Sequence, residues 1–156
     1  MVMYLWWIAP LLSFCVFFVI NKLKKLTVRE GYAGVLLIII DGLVQNIGRD
    51  YGLWSATNSL LMIGGQPVEI LPACYFFGVI VSSFFRKNKW LWNMFVVALF
   101  SFIGAFAEQV GLMLQMIWYS ENWNFLFAFL LYFLCLFGLM LAWNYAPLPE
   151  LEKVFD

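Results

Sequence analysis

Long apolar runs alternate with short polar breaks along this chain, and the runs have the length of bilayer crossings. A spanning helix needs about 20 mostly apolar residues, because each adds about 1.5 Å across a core about 30 Å thick. Five runs qualify. Met3–Ile20 ends in Asn21-Lys22-Leu23-Lys24-Lys25, and Gly31–Ile47 is broken only by Asp41 before closing on Gln45 and Asn46. Val68–Phe85 stops at Arg86-Lys87-Asn88-Lys89, Trp90–Trp118 is longer than a crossing requires, and Phe125–Trp143 completes the set. The pattern predicts an all-α, polytopic transmembrane helix bundle with five spanning helices. Ser59–Ile63 is apolar but too short to span, so it is expected to be interfacial or re-entrant. A single transmembrane domain over 1–146 and a short cytoplasmic tail over 147–156 follow, and no internal repeat is legible.

The cations sharpen this picture. Lys22, Lys24, Lys25 and Arg29 follow the first run, Arg86, Lys87 and Lys89 the third, and Lys153 the fifth; Arg49 alone falls on the opposite side. Cytoplasmic loops carry the excess of Lys and Arg. The expectation is a multi-pass cell-membrane protein with its N-terminus outside and its C-terminus cytoplasmic. The first run has no basic residue before it and its lysines after it, which reads as an anchor and not as a cleaved signal. Trp6, Trp7, Trp90, Trp92, Trp118, Trp123 and Trp143 fall near run ends, as interfacial aromatics do.

Composition removes most other classes. Of 156 residues 65% are hydrophobic and 12% charged, against about 25% charged in soluble domains. A soluble globule, a disordered chain and a disulfide-stapled secreted domain are excluded. Zero net charge gives no footprint for nucleic acid. There is no histidine, and Cys15, Cys74 and Cys135 lie far apart inside apolar runs. No metal site and no cofactor are expected, and the cysteines read as packing residues.

Ionisable groups inside a bilayer cost about 2.5–3.5 kcal/mol at a helix centre, so each needs a protein or water neighbour. Asp41, Glu69 and Glu108 are such groups, from three different runs. Asp41 lies about 15 Å into the second run, and Glu108 about 27 Å along the fourth. With Glu69 opening the third, all three belong to the middle or outer half of the membrane. Asp41, Gln45 and Arg49 follow at helical spacing and form one stripe. Ser101, Gly104, Glu108, Gly111 and Gln115 form a second, small and polar, of the kind buried between helices. The candidate binding set is Asp41, Gln45, Arg49, Glu69, Glu108 and Gln115. Three readings stay open: buried pairs that fix helix registry, such as Asp41 with Arg49 or Glu69 with Gln45; an outward-open ligand pocket; and a proton path. The fifth run, nearly all Phe and Leu, is expected to face lipid.

Two resemblances attach to these residues. Asp41-Gly42, Leu53-Trp54, Pro72-Ala73, the basic turn after it, Glu108 and Tyr119-Ser120-Glu121-Asn122-Trp123-Asn124 together resemble an uncharacterised family of small polytopic membrane proteins of spore-forming and related bacteria. That resemblance implies membrane residence and no assigned activity. The stretch from Asp41 to Phe77, with Trp54 and Gln66-Pro67-Val68-Glu69-Ile70, is similar to the membrane-embedded lycopene cyclase domains and their Pro-x-Glu-Glu signature. It implies acid–base cyclisation of a polyene by paired carboxylates. Here Ile70 stands for the second acid, so Glu69 would need Asp41 or Glu108 as partner. The expected function is an intramembrane polar pocket for a hydrophobic or amphiphilic small molecule or a partner helix, with no catalysis favoured. A cyclase-like catalyst, a small transporter and an assembly factor are the alternatives. The expected partners are the lipid bilayer, the small molecule and a second copy of the chain as homo-oligomer.

Overall fold

A computed structural model describes residues 2–57, 61–63 and 66–145. The 147–156 tail, with Lys153, lies outside the described residues, as do Ser59 and Leu60. A short 3-10 helix, Val2–Trp7, leads into α1 (Ile8–Lys24), and α2 covers Val28–Asp50, α3 Ile70–Ser82, α4 Trp90–Met113 and α5 Phe125–Tyr145. Four pairs of residues or short triplets form strands: β1 (Trp54–Ala56), β2 (Met62–Ile63), β3 (Gln66–Pro67) and β4 (Ile117–Tyr119). The protein is thus a mostly helical bundle with, among the described residues, four helices long and apolar enough to cross a membrane. Leu11, Leu43, Leu91 and Leu134 are each more than half exposed on its outer face. Such a surface suits lipid and not water.

The bundle has two unlike ends. One carries the short strands together with the starts of α1, α3 and α5 and the finishes of α2 and α4; it is called the capped end. The opposite end carries the remaining helix termini and Lys22, Lys24, Lys25, Arg29, Arg86, Lys87 and Lys89. A capping box begins α2 there: the Thr27 N–H donates to Glu30 Oε2 at 2.8 Å, and Thr27 Oγ1 bonds the same oxygen. Asn93, fully buried, ties the α3–α4 turn by bonding the N–H of Arg86 at 2.8 Å and its carbonyl at 2.9 Å.

Helix α3 packs on all four other helices. It approaches α2 at Gly34 and Gly78, where a Cβ on Gly78 would lie 2.9 Å from the Gly34 Cα. Small residues of this kind let two backbones close up in a membrane, where no hydrophobic effect drives helices together. Val81, Val96, Val97, Leu136, Leu139 and Met140 fill the centre. Three of these belong to α5. The expectation that the fifth run only lines the lipid face is therefore corrected: its Ala128, Leu136, Leu139 and Met140 are buried, while Leu126, Leu130 and Leu134 face outward.

Helix boundaries depart from the hydropathy pattern at three places. The Val68–Phe85 run yields only 13 helical residues, about 20 Å of helix, flanked by turns. Met62–Ile63 is not helical: it pairs antiparallel with Gln66–Pro67 in a small hairpin. The Trp90–Trp118 run is not one helix. It breaks after Met113, where Gln115 takes a left-handed φ of 56° and Met116 N–H bonds the Gly111 carbonyl at 2.9 Å while Gln115 N–H bonds that of Leu112 at 3.0 Å. This six-to-one and five-to-two pair is a Schellman motif.

The same motif ends α2. Leu53 N–H bonds the Gly48 carbonyl at 2.8 Å, Gly52 N–H bonds that of Arg49 at 2.9 Å, and Gly52 has φ 62°. Each helix then enters a three-residue strand, and β1 and β4 pair antiparallel with Trp54 opposite Tyr119 and Ala56 opposite Ile117. A helix then returns from each strand. The chain therefore contains two units of one build, α2–β1–α3 and α4–β4–α5, a repeat that no run of letters displayed. With Gly52 matched to Gln115, Gln45 holds the place of Glu108, Gly48 that of Gly111, and Trp54 that of Ile117.

Candidate functional site

The interior polar groups come from both units. On α2, Asp41 and Gln45 lie one turn apart. The Cys74 thiol, on α3, donates to Asp41 Oδ2 at 3.3 Å, and the Gln45 side chain also bonds the Asp41 carboxyl. Gln45 Oε1 accepts the Trp54 indole N–H at 2.8 Å. Trp54 reaches it because Gly48 has no side chain: a Cβ there would lie 2.0 Å from the indole ring. Trp54 in turn lies against Trp123, with ring centroids 4.5 Å apart.

On α4, Glu108 faces two hydroxyls, that of Tyr132 from α5 and that of Tyr119 from β4. Tyr132 fits because Gly104 is bare; a Cβ there would meet its ring at 2.8 Å. Asp41 and Glu108 are near enough to feel each other's charge, and Tyr132 senses both as well as Cys74. Each of the four helices of the two units thus contributes one polar side chain to one interior cluster: Asp41, Cys74, Glu108 and Tyr132. No group of His, Cys, Asp and Glu among the described residues has the geometry of a metal site.

Tyr119 joins this cluster to the surface. It lines an open groove at the capped end together with Thr57, Leu112, Gln115, Ile117 and Trp118. Burial, and after it the Glu108 carboxyl, push the Tyr119 hydroxyl above the ordinary phenol range, so it remains a proton donor. Gln109 and Trp123 turn toward this hydroxyl. Yet Tyr119 Oη, Gln109 Nε2 and Trp123 Nε1 are all buried without a hydrogen bond of direct geometry. Three donors are therefore gathered in one place, Gln109 and Trp123 turned toward Tyr119 and Tyr119 toward Glu108, without a direct hydrogen-bond geometry, which is rare in folded proteins.

The six expected residues divide. Asp41, Gln45 and Glu108 are brought together. Arg49 is not: it is exposed and pairs with Asp50 at 3.0 Å, also bonding Asn46 Oδ1 at 3.2 Å, so the expected Asp41–Arg49 pair does not form. Gln115 leaves the helical stripe at the Schellman turn; its side chain is exposed, and its carbonyl accepts the Thr57 hydroxyl at 2.7 Å. Ser101, Gly104 and Gly111 of that stripe are buried as expected. Glu69 is 4% exposed at the N-terminal boundary of α3, about one and a half turns from Cys74 along that helix.

Tyr132 and Gln109 are not singled out by the sequence, in which Cys74 reads as a packing residue, Trp123 as an interfacial aromatic, and Tyr119 only as part of a family resemblance. The chain has no significant match among protein-family models, curated proteins or solved structures, so the site is read from its geometry alone.

Proposed function

We propose that the protein is a five-pass cell-membrane protein that binds an apolar small molecule carrying an oxygen function. The molecule's body lies along the groove of Leu112, Ile117 and Trp118, and its oxygen accepts from the donors around Tyr119. The observation that carries this reading is the buried donor set of Tyr119, Gln109 and Trp123, backed by Glu108, with Tyr119 also lining the groove. Convergent polar groups in an apolar wall are what a small-molecule site requires. In this reading α3 and its flanking turns make the fifth crossing, the basic end lies in the cytoplasm, and the N-terminus is outside.

Mass spectrometry of compounds retained after extraction in mild detergent tests it. Wild type retains one oxygenated apolar compound, and Tyr119→Phe and Glu108→Gln each reduce retention about ten-fold at unchanged folding. Equal retention by all three proteins would sink the proposal.

The two-unit build supports a second reading, a small transporter. In transporters made of repeats the substrate site lies between the repeats, and here the four helices of the two units meet at Asp41, Cys74, Glu108 and Tyr132. Ion-coupled uptake of the retained compound into sealed vesicles, lost in Asp41→Asn, separates transport from binding alone. The cyclase-like alternative asks for an acid beside Glu69. Asp41 and Glu108 are instead in electrostatic contact with each other.

A further inference from the structure

The basic end holds a second set of buried donors, far from the cluster just described. Arg29 opens α2, and Trp143 lies in the last turn of α5. The guanidinium sits over the indole, 4.2 Å from its centroid, and bonds the Trp143 carbonyl, so Arg29 caps the C-terminus of α5. That structural duty uses one N–H. Arg29 Nε and Trp143 Nε1 are both buried with no hydrogen-bond partner. Both residues line a shallow groove between α2 and α5 whose walls are Ala33, Leu36, Leu139 and Ala142.

Charge at this end is one-sided. Seven described cations gather there, and the single described acid among them, Glu30, is committed to the Thr27 capping box. The ion pair among the described residues is Arg49–Asp50, at the opposite end. Among the described residues, Arg29 therefore has a carbonyl and a ring as neighbours but no counter-charge. The start of α2 adds its own positive dipole end.

We infer that the α2–α5 groove at the basic end is a site for an anionic glycerophospholipid, its phosphate on Arg29 and Trp143 and an acyl chain along Leu36 and Leu139. An apolar trough bordered by a guanidinium, among the cations of this end, matches the two parts of such a lipid, and basic pockets between spanning helices suit anionic head groups. A zwitterionic lipid offers the same phosphate, but its ammonium would sit among seven cations. The inference rests on the reading of the bundle as membrane-embedded.

Native mass spectrometry of the full chain in detergent, with phosphatidylglycerol or phosphatidylcholine added at matched concentration, tests the site. Wild type retains phosphatidylglycerol at least about ten-fold better than phosphatidylcholine, and Arg29→Gln abolishes that preference. Lys87→Gln removes the same charge at an exposed position and leaves the preference within about two-fold. Trp143→Phe keeps the ring and the backbone carbonyl and removes only the indole N–H; it lowers retention about five-fold, and it decides the matter if Arg29→Gln fails to fold. Equal retention of the two lipids by wild type, or equal losses in Arg29→Gln and Lys87→Gln, would overturn the assignment. A protein that stayed soluble without detergent would instead remove the membrane reading on which it rests.

Discussion

The capped and basic ends of this bundle are closed by different chemistry. At the capped end, backbone meets backbone: two Schellman turns deliver β1 and β4 side by side, Thr57 N–H bonds the Met116 carbonyl at 2.8 Å, and Ser120 N–H bonds that of Leu53 at 2.9 Å. Indoles lock what the strands leave open, with Trp54 on Gln45 and Trp6 Nε1 on the Thr57 carbonyl at 2.9 Å. At the basic end, side chains cap helix termini one by one. Lys24 Nζ reaches the Ser83 carbonyl at 3.2 Å, Arg29 that of Trp143, and Trp92 Nε1 that of Phe84 at 2.8 Å. A strand ladder fixes the spacing of α2 and α4, and the interior cluster lies beneath it. These side-chain caps tie helices in pairs, α1 to α3 and α2 to α5, without a shared ladder across the end.

Three substitutions probe that contrast, with stability followed by unfolding in mixed micelles. Gly48→Ala has the largest expected effect. Its Cβ would overlap the Trp54 indole, so the ring must leave Gln45 and tilt the strand; a loss of about 3–4 kcal/mol follows. A loss under about 1 kcal/mol would show that the ladder tolerates displacement of its indole. Asn93→Ala, at the basic end, orphans the N–H and carbonyl of Arg86 inside one turn and should cost about 2 kcal/mol. Were it as damaging as Gly48→Ala, the two ends would be equally cooperative. Arg49→Gln touches the capped end at its exposed Asp50 pair and its Asn46 bond and should change stability by less than about 0.5 kcal/mol. A larger change would give that pair a role the geometry does not assign.

Much of the architecture was legible because hydropathy reports burial in lipid directly. The helices of the first, second, fourth and fifth runs stand where the apolar residues are, and the cations mark one end. What failed to show was set by backbone geometry. Leu114, Met116, Ile117 and Trp118 continue the apolar run past Met113, and nothing in their side chains announces the left-handed Gln115 that breaks α4. The repeat is hidden for the same reason: Gly52 answers to Gln115 and Trp54 to Ile117, equal in conformation and unlike in chemistry. The site was half legible. Asp41 and Glu108 stood out because charge in an apolar run must be accounted for. Tyr119, Tyr132 and Cys74 did not, since a hydroxyl or thiol barely dents a hydropathy pattern. The expectation that α5 only faces lipid failed with them, for Tyr132 enters the cluster through the gap left by Gly104. A tyrosine on one helix with a glycine on its neighbour was a signal that spacing within one helix could not show.

The strand pair also sets an order of assembly. β1 leaves the ribosome well before β4, with α3 and α4 made in between, so Trp54 and Gln45 can meet early while the other edge of β1 waits for its partner. Pairings distant in sequence form late, after the segments between them have been placed. The roof over the polar cluster therefore closes only after α3 and α4 have been made, and a chain interrupted before Ile117 would leave Asp41 and Glu108 beneath an open mouth.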